Sequence, residues 1–302
     1  MKAAHAPVVQ PLSFTAADGT PLSGMLYAPQ AAAGASAKAS VLVAGGLGIS
    51  QRFYAPFAHW LAQRDYRVLT FDLRGMGASR RPEHHLSLRG LDADMLTWAR
   101  QDFAAAVMRL AEQSPDGRVA LVGHSLGMHH AVMTTAAVQQ RIARAVSVAA
   151  GSGYWRDWAP ASRRKAPLML HLAAPLLTPL LGWFPGKRLR MVGDLPGPAM
   201  RQWSRWCRHP EFAWGAEPDQ VLPSLRATRF PIHWLSFTDD DAMTANCTRK
   251  LLAALPNAPS QLQVIAPAEL GLTAIGHVGA FRSEVGAAVW PLIEANLIGP
   301  AP

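Results

Sequence analysis

The chain has 302 residues, half of them hydrophobic and 16% charged, with a net charge of +9. That much apolar material excludes intrinsic disorder, and two cysteines, Cys207 and Cys247, are too few to staple a miniprotein. Neither cysteine has a near partner for a zinc or redox pair, so both read as reduced thiols, and neither metal nor cofactor is expected. The opening residues 1–7 lack the apolar run of a signal peptide, which predicts a cytoplasmic protein.

Residues 12–15 and 22–27 flank Asp18-Gly19, a hairpin signal. The Ala/Gly/Ser-rich stretch 30–40 reads as a loop. Short apolar runs then alternate with helical patterns. Residues 41–43, 67–71, 119–122 and 145–148 fit buried parallel strands, and 53–64, 93–112 and 126–138 fit the helices between them. After Gly153 this texture gives way to Pro, Trp and Arg until about Pro223, and strands resume at 232–237 and 262–265. A closing helix is expected over 283–297, interrupted or kinked near Pro291. The alternation predicts an α/β protein with a mostly parallel central sheet flanked by helices. Its core would comprise 1–152 and 224–302, with 153–223 a helical cap inserted between two strands.

The charge is uneven. Between Arg156 and Arg208 lie ten Lys/Arg and two acids, a net +8; extending to Glu217 leaves +6. A solvated face is the plainest reading, and an anionic ligand or phospholipid surface is the alternative. No spaced nucleic-acid module occurs, so no nucleic-acid partner is expected. Residues 166–184 carry no formal charge and approach the roughly 20 that span a bilayer. Pro167, Pro175 and Pro179 interrupt them, however, and a span would divide the sheet's strands between two sides of a membrane. Broken apolar helices over a pocket are expected, with peripheral membrane contact through the basic, apolar cap as the second reading. Arg201, Trp203, Arg205, Trp206 and Arg208 fit one amphipathic helix.

Gly123-His124-Ser125-Leu126-Gly127 matches G-x-S-x-G between an apolar strand and a helix, the setting a nucleophile elbow requires. The flanking glycines keep the strained turn uncrowded. A serine hydroxyl needs a base to take its proton and an acid to orient that base. His277, flanked by glycines in a late loop, is the expected base; His124, His129 and His130 read as helix-packing or solvent-facing residues. The strand 232–237 runs into Asp239-Asp240-Asp241, which supplies the acid: Asp240, with Asp239 the alternative. An oxyanion hole needs two backbone N–H groups. One is expected from Leu126 and the other from Gly46 or Leu47 in the loop after 41–43.

These residues resemble the α/β-hydrolase superfamily over nearly the whole chain: the loop Ala44-Gly45-Gly46-Leu47-Gly48, the segment Phe71-Asp72-Leu73-Arg74-Gly75-Met76-Gly77-Ala78-Ser79, the elbow, and the late Asp and His in that order. The chain is more closely similar to bacterial α/β-hydrolases related to the serine aminopeptidase and monoglyceride lipase-like domain. Gly151-Ser152-Gly153-Tyr154-Trp155, Phe184-Pro185-Gly186-Lys187-Arg188, Ser236-Phe237-Thr238-Asp239-Asp240 and Ile275-Gly276-His277 carry that likeness. The resemblance implies the α/β-hydrolase fold, a Ser-His-Asp triad and an acid within Asp239-Asp240, most naturally Asp240. Gly45, Met128, Val278 and Ala280 depart from the group's usual residues. The expected function is hydrolysis of a carboxylic ester with a hydrophobic or acyl group, through an acyl-enzyme. Peptide or amide cleavage and a non-catalytic binding or scaffold role are the alternatives.

Overall fold

The computed structural model describes residues 6–30 and 37–298, so most of the expected loop 30–40 and residues 1–5 of the opening segment lie outside the described residues. In chain order the strands are β1 (Val8–Thr15), β2 (Pro21–Ala28), β3 (Ser40–Ala44), β4 (Arg67–Asp72), β5 (Val119–His124), β6 (Ile142–Val148), β7 (Trp183–Phe184), β8 (Leu195–Pro196), β9 (Ile232–Phe237) and β10 (Ser260–Ile265). Successive side chains point to opposite faces of a strand. In β3, Leu42 and Ala44 join one apolar cluster while Val41 and Val43 join another; β5 divides Leu121 from Val122 in the same way. The middle of the sheet is therefore buried on both faces, as a parallel sheet requires, while the edge strands β1 and β10 remain partly exposed.

Its order is β1-β2-β4-β3-β5-β6-β9-β10. The six strands from β4 to β10 run parallel, and the hairpin β1–β2 adds an antiparallel edge. The hairpin turns at Asp18-Gly19, where Gly19 has φ +84, a left-handed conformation that glycine adopts without penalty. Helices Ala55–Ala62 and Ser283–Ala295 cover one face. The helical run 95–111 and the helix Leu126–Met133 cover the other. This is the mostly parallel α/β architecture anticipated from the sequence.

Two helix expectations need correction. The closing helix is not interrupted at Pro291: it continues from Ser283 to Ala295, because Trp290 and Ile293 are buried and their packing outweighs the roughly 3 kcal/mol cost of an internal proline. The helix expected over 126–138 stops at Met133, where Thr134 adopts extended backbone, and restarts at Ala136.

Between β6 and β9 lie helices Pro160–Pro167, Ala174–Leu181, Gly197–Arg208, Phe212–Ala216 and Pro218–Ala227, with the β7–β8 ribbon. The last helix spans the expected boundary at Pro223. The prolines do not break residues 160–181 into separate helices. A π-helical stretch, Leu168–Ala173, shifts the hydrogen-bond register so that Ala174 N–H reaches Met169 O. That shift puts Pro175 in the first turn of the next α-helical segment, where its missing donor is not needed. The run ends instead at left-handed Gly182. Trp203 and Trp206 face inward while Arg201, Arg205 and Arg208 face out, so the expected amphipathic helix forms. Trp158, Leu170, Trp206 and Phe212 share the apolar cluster of the sheet face rather than forming a separate core.

The loop after β4 is tied down by Arg74. Its Nε donates to Asp102 Oδ1 at 2.7 Å and its backbone N–H to Oδ2 at 2.7 Å, while Nη1 reaches Asp18 at 2.6 Å. Asp102 is fully buried, whereas Asp18 lies at the surface turn. Asp18 still holds the Nη atoms when Asp102 is removed, but the buried Arg74 N–H and Nε are left without an acceptor, so Asp102→Ala is expected to cost about 3–5 kcal/mol. Asp18→Ala should cost no more than about 1 kcal/mol. Urea unfolding of both variants at pH 7 measures the difference; equal losses would contradict this account.

Candidate active site

The elbow sits where β5 meets the helix Leu126–Met133. Ser125 has φ 50 and ψ −116, a strained backbone for a non-glycine residue. Its N–H donates to Val148 O at 2.9 Å, anchoring the turn to β6. Close packing fixes it from behind: a Cβ on Gly127 would lie 2.1 Å from Ala44 O, and one on Gly123 2.9 Å from Met128 Cα. Glycine at both positions is what lets the helix start against β3.

Ser125 Oγ lies 3.1 Å from His277 Nε2. His277 Nδ1 lies 3.1 and 3.0 Å from the two oxygens of Asp240, whose side chain is wholly buried. Asp240 Oδ1 also accepts the N–H groups of Ala242 and Met243 at 2.8 and 2.7 Å, which fix the carboxylate. Asp239 does something else. Its Oδ2 accepts the N–H groups of Ile275 and Gly276 at 2.7 and 2.9 Å, clamping the loop that carries His277. The adjacent carboxylates thus divide the work, and the geometry favours Asp240 over Asp239 as the group facing the imidazole.

A buried hydrogen-bond chain joins the glycine loop to the histidine loop. His277 O can only accept, so His124 Nε2, at 2.9 Å, carries the proton. His124 Nδ1 therefore accepts from the Tyr54 hydroxyl at 2.7 Å, and that oxygen accepts Gly46 N–H at 2.8 Å. Burial raises the Tyr54 phenol well above its usual range, and burial beside His277 lowers His124 to about 3, so the phenol keeps its proton and the imidazole stays neutral. The chain also bears on the second oxyanion donor. Gly46 N–H is engaged by Tyr54, whereas Leu47 and Leu126 both line the cleft that holds Ser125 and His277. Of the two expected donors, the Gly46 amide is thus occupied, and Leu47 is the one that lines the cleft. Tyr54 is the residue the sequence reading missed; its only trace was Gly45, where an added Cβ would lie 2.8 Å from the tyrosine ring.

The cleft has a volume of about 680 Å³. Trp158, Met169, Trp203, Phe212, Leu126 and Val278 make its walls largely apolar. Lys165 and Arg190 also line it, and among the described lining residues there is no Asp or Glu. No group of three or more His, Cys, Asp or Glu that could hold a metal occurs among the described residues.

His124, His129 and His130 are all buried, so none faces solvent; His129 and His130 pack within the helix Leu126–Met133, whereas His124 ends β5 and, contrary to the helix-packing expectation, bonds Tyr54 and the His277 carbonyl. Burial lowers His129 to about 4 and His130 to about 3. Because the folded chain depresses these pKa values below the ordinary 6.5, unfolding takes up protons as pH falls through that window. Stability should be complete above pH 6.5 and decline towards pH 4, with a slope of up to about 4 kcal/mol per pH unit when all three imidazoles contribute. Urea midpoints between pH 7 and 5 check this, and His130→Leu should flatten the profile; a flat wild-type profile would contradict it.

The fold is shared with solved structures of low sequence identity. An esterase of Pyrococcus furiosus, Pf2001, matches with a TM-score of 0.59 at 17% identity, over 97% of this chain and 92% of that one. A cold-adapted esterase from an Arctic intertidal metagenomic library matches with a TM-score of 0.55 at 15% identity, over 98% and 97%. The esterase domain of a Rhodothermus marinus protein gives 0.56 at 14% identity, over 96% and 100%. No curated protein matches the chain by sequence. The family profile described as serine aminopeptidase, S33, matches residues 35–268. The chain is therefore a hydrolase of the α/β-hydrolase superfamily and belongs to the serine aminopeptidase, S33, family.

Proposed function

We propose that the protein is a serine hydrolase of carboxylic esters with an apolar acyl group, working through an acyl-enzyme. The observation that carries this reading is the continuous hydrogen-bonded line Asp240–His277–Ser125 at an apolar cleft. Ser125 Oγ attacks the ester carbonyl carbon while His277 Nε2 takes its proton. The developing oxyanion is held by the N–H groups of Leu47 and Leu126. Asp240 keeps the His277 proton on Nδ1 and stabilises the imidazolium. Collapse expels the alcohol, which leaves with the proton from His277. Water, activated by the same imidazole, then attacks the acyl carbon and releases the acid, restoring Ser125.

In this reading residues 153–223 serve as a lid, because Trp158, Met169, Trp203 and Phe212 supply much of the cleft wall. The family description favours a second reading, aminopeptidase activity. Such an enzyme must hold the substrate's free ammonium, yet the cationic residues at the cleft are Lys165 and Arg190, with no carboxylate among the described lining residues. The charge balance therefore favours esters over peptides. The scaffold reading requires His277 to be out of reach of Ser125, and the 3.1 Å contact speaks against it.

A series of p-nitrophenyl esters compared with aminoacyl nitroanilides tests the proposal. Each added methylene should raise kcat/KM by up to about fourfold until the cleft is filled. Ser125→Ala should lower kcat at least ~10⁴-fold. Preference for nitroanilides, or for acetate over longer acyl groups, would contradict the assignment.

A further inference from the structure

The run 160–181 carries an unusual outer face. Leu168, Leu172, Leu176 and Leu180 recur every fourth residue and are 55%, 51%, 59% and 71% exposed. In a regular α-helix, side chains four residues apart drift steadily around the axis. The π-helical stretch Leu168–Ala173, with more residues per turn, counters that drift and keeps the leucines in one ridge. Four large aliphatic side chains so exposed form a contiguous apolar feature of the kind that marks an interaction site.

Cations surround the ridge. Arg163, Arg164 and Lys165 precede it by one turn, and Arg164 lies on the leucine spacing itself. Arg201, Arg205 and Arg208 share a cavity with Pro175 and Pro179 along its flank. All ten Lys/Arg between Arg156 and Arg208 are exposed. The two acids in that segment are already engaged, Asp157 by Lys250 and Asp194 by Arg80. Among the described residues only Arg205 of the ten has an ion-pair partner, Glu217. The ridge also leads to the cleft: Leu168 and Lys165 line it, together with the exposed Leu189 and Met191.

We propose that the leucine ridge and its cationic surround form a docking surface for an anionic phospholipid membrane. The leucines would enter the boundary between headgroups and acyl chains, while Lys and Arg remain among the phosphates. Charge decides between occupants. A second copy would bring the same cations face to face and be repelled, and a zwitterionic surface would leave them without counter-charge. No helix among the described residues is long and apolar enough to cross a membrane, so the contact is peripheral. Docked this way, the cleft mouth faces the lipid, and an apolar substrate would enter it without crossing water.

Vesicle flotation tests this with the full chain, using phosphatidylcholine alone and phosphatidylcholine containing about one third phosphatidylglycerol. The protein should float with the anionic vesicles and not with the zwitterionic ones, and should be released as salt is raised towards about 1 M. The double variant Leu172→Ser/Leu176→Ser should weaken binding at least ~10-fold. Arg201→Glu/Arg208→Glu should weaken it about fivefold or more per reversed charge, about 25-fold or more together. These side chains are exposed and lie outside the cleft, so hydrolysis of a short soluble ester should be unchanged in both variants, which separates this proposal from the esterase reading. Binding equal on both vesicle types, binding unaffected by both double variants, or a leucine-dependent dimer without vesicle binding would overturn it.

Discussion

Everything at the site depends on the turn at Ser125. A non-glycine residue at φ 50 persists only when its surroundings over-determine it. Here the restraints are the bond to Val148 O, the contact of Gly127 with Ala44 and the contact of Gly123 with Met128. Each ties the turn to a neighbouring parallel strand or to its own helix. The strain therefore rests on the middle of the sheet, the part of the fold buried on both faces. The turn, in return, puts Ser125 Oγ within hydrogen-bond reach of an imidazole 152 residues later in the chain.

The imidazole is held from three directions. Asp240 faces Nδ1, Asp239 clamps the backbone just before it, and His124 holds its carbonyl. The last contact passes through Tyr54 to Gly46, so the glycine loop and the histidine loop are parts of one buried polar network. A network with every proton assigned is rigid, and rigidity is what keeps a base aligned with a hydroxyl. In the proposed mechanism Tyr54 and His124 touch no substrate; they position the groups that do.

The sheet was legible in the sequence because parallel strands buried on both faces read as short continuous apolar runs, and every expected strand is present. Ser125, Asp240 and His277 were legible because local spacing and chain order mark them, and the structure brings all three together. The helices around prolines were not. Whether Pro291 or Pro175 ends a helix depends on tertiary burial and on a π-helical register shift, neither of which leaves a local pattern. That the Gly46 amide is engaged was closed to sequence for the same reason: it turns on the hydroxyl of Tyr54 folding back onto that amide. The leucine ridge was hidden because residues 166–184 read as uniformly apolar, and only the packed structure separates the inward from the outward positions.

The central claim is that Ser125 becomes covalently acylated. The most direct measurement is peptide mapping by mass spectrometry after reaction of the folded protein with a fluorophosphonate, with His277→Ala treated in parallel. The account predicts a single adduct on the peptide carrying Ser125, formed far more slowly in the variant. An adduct on another residue, or no adduct on folded wild-type protein, would contradict it.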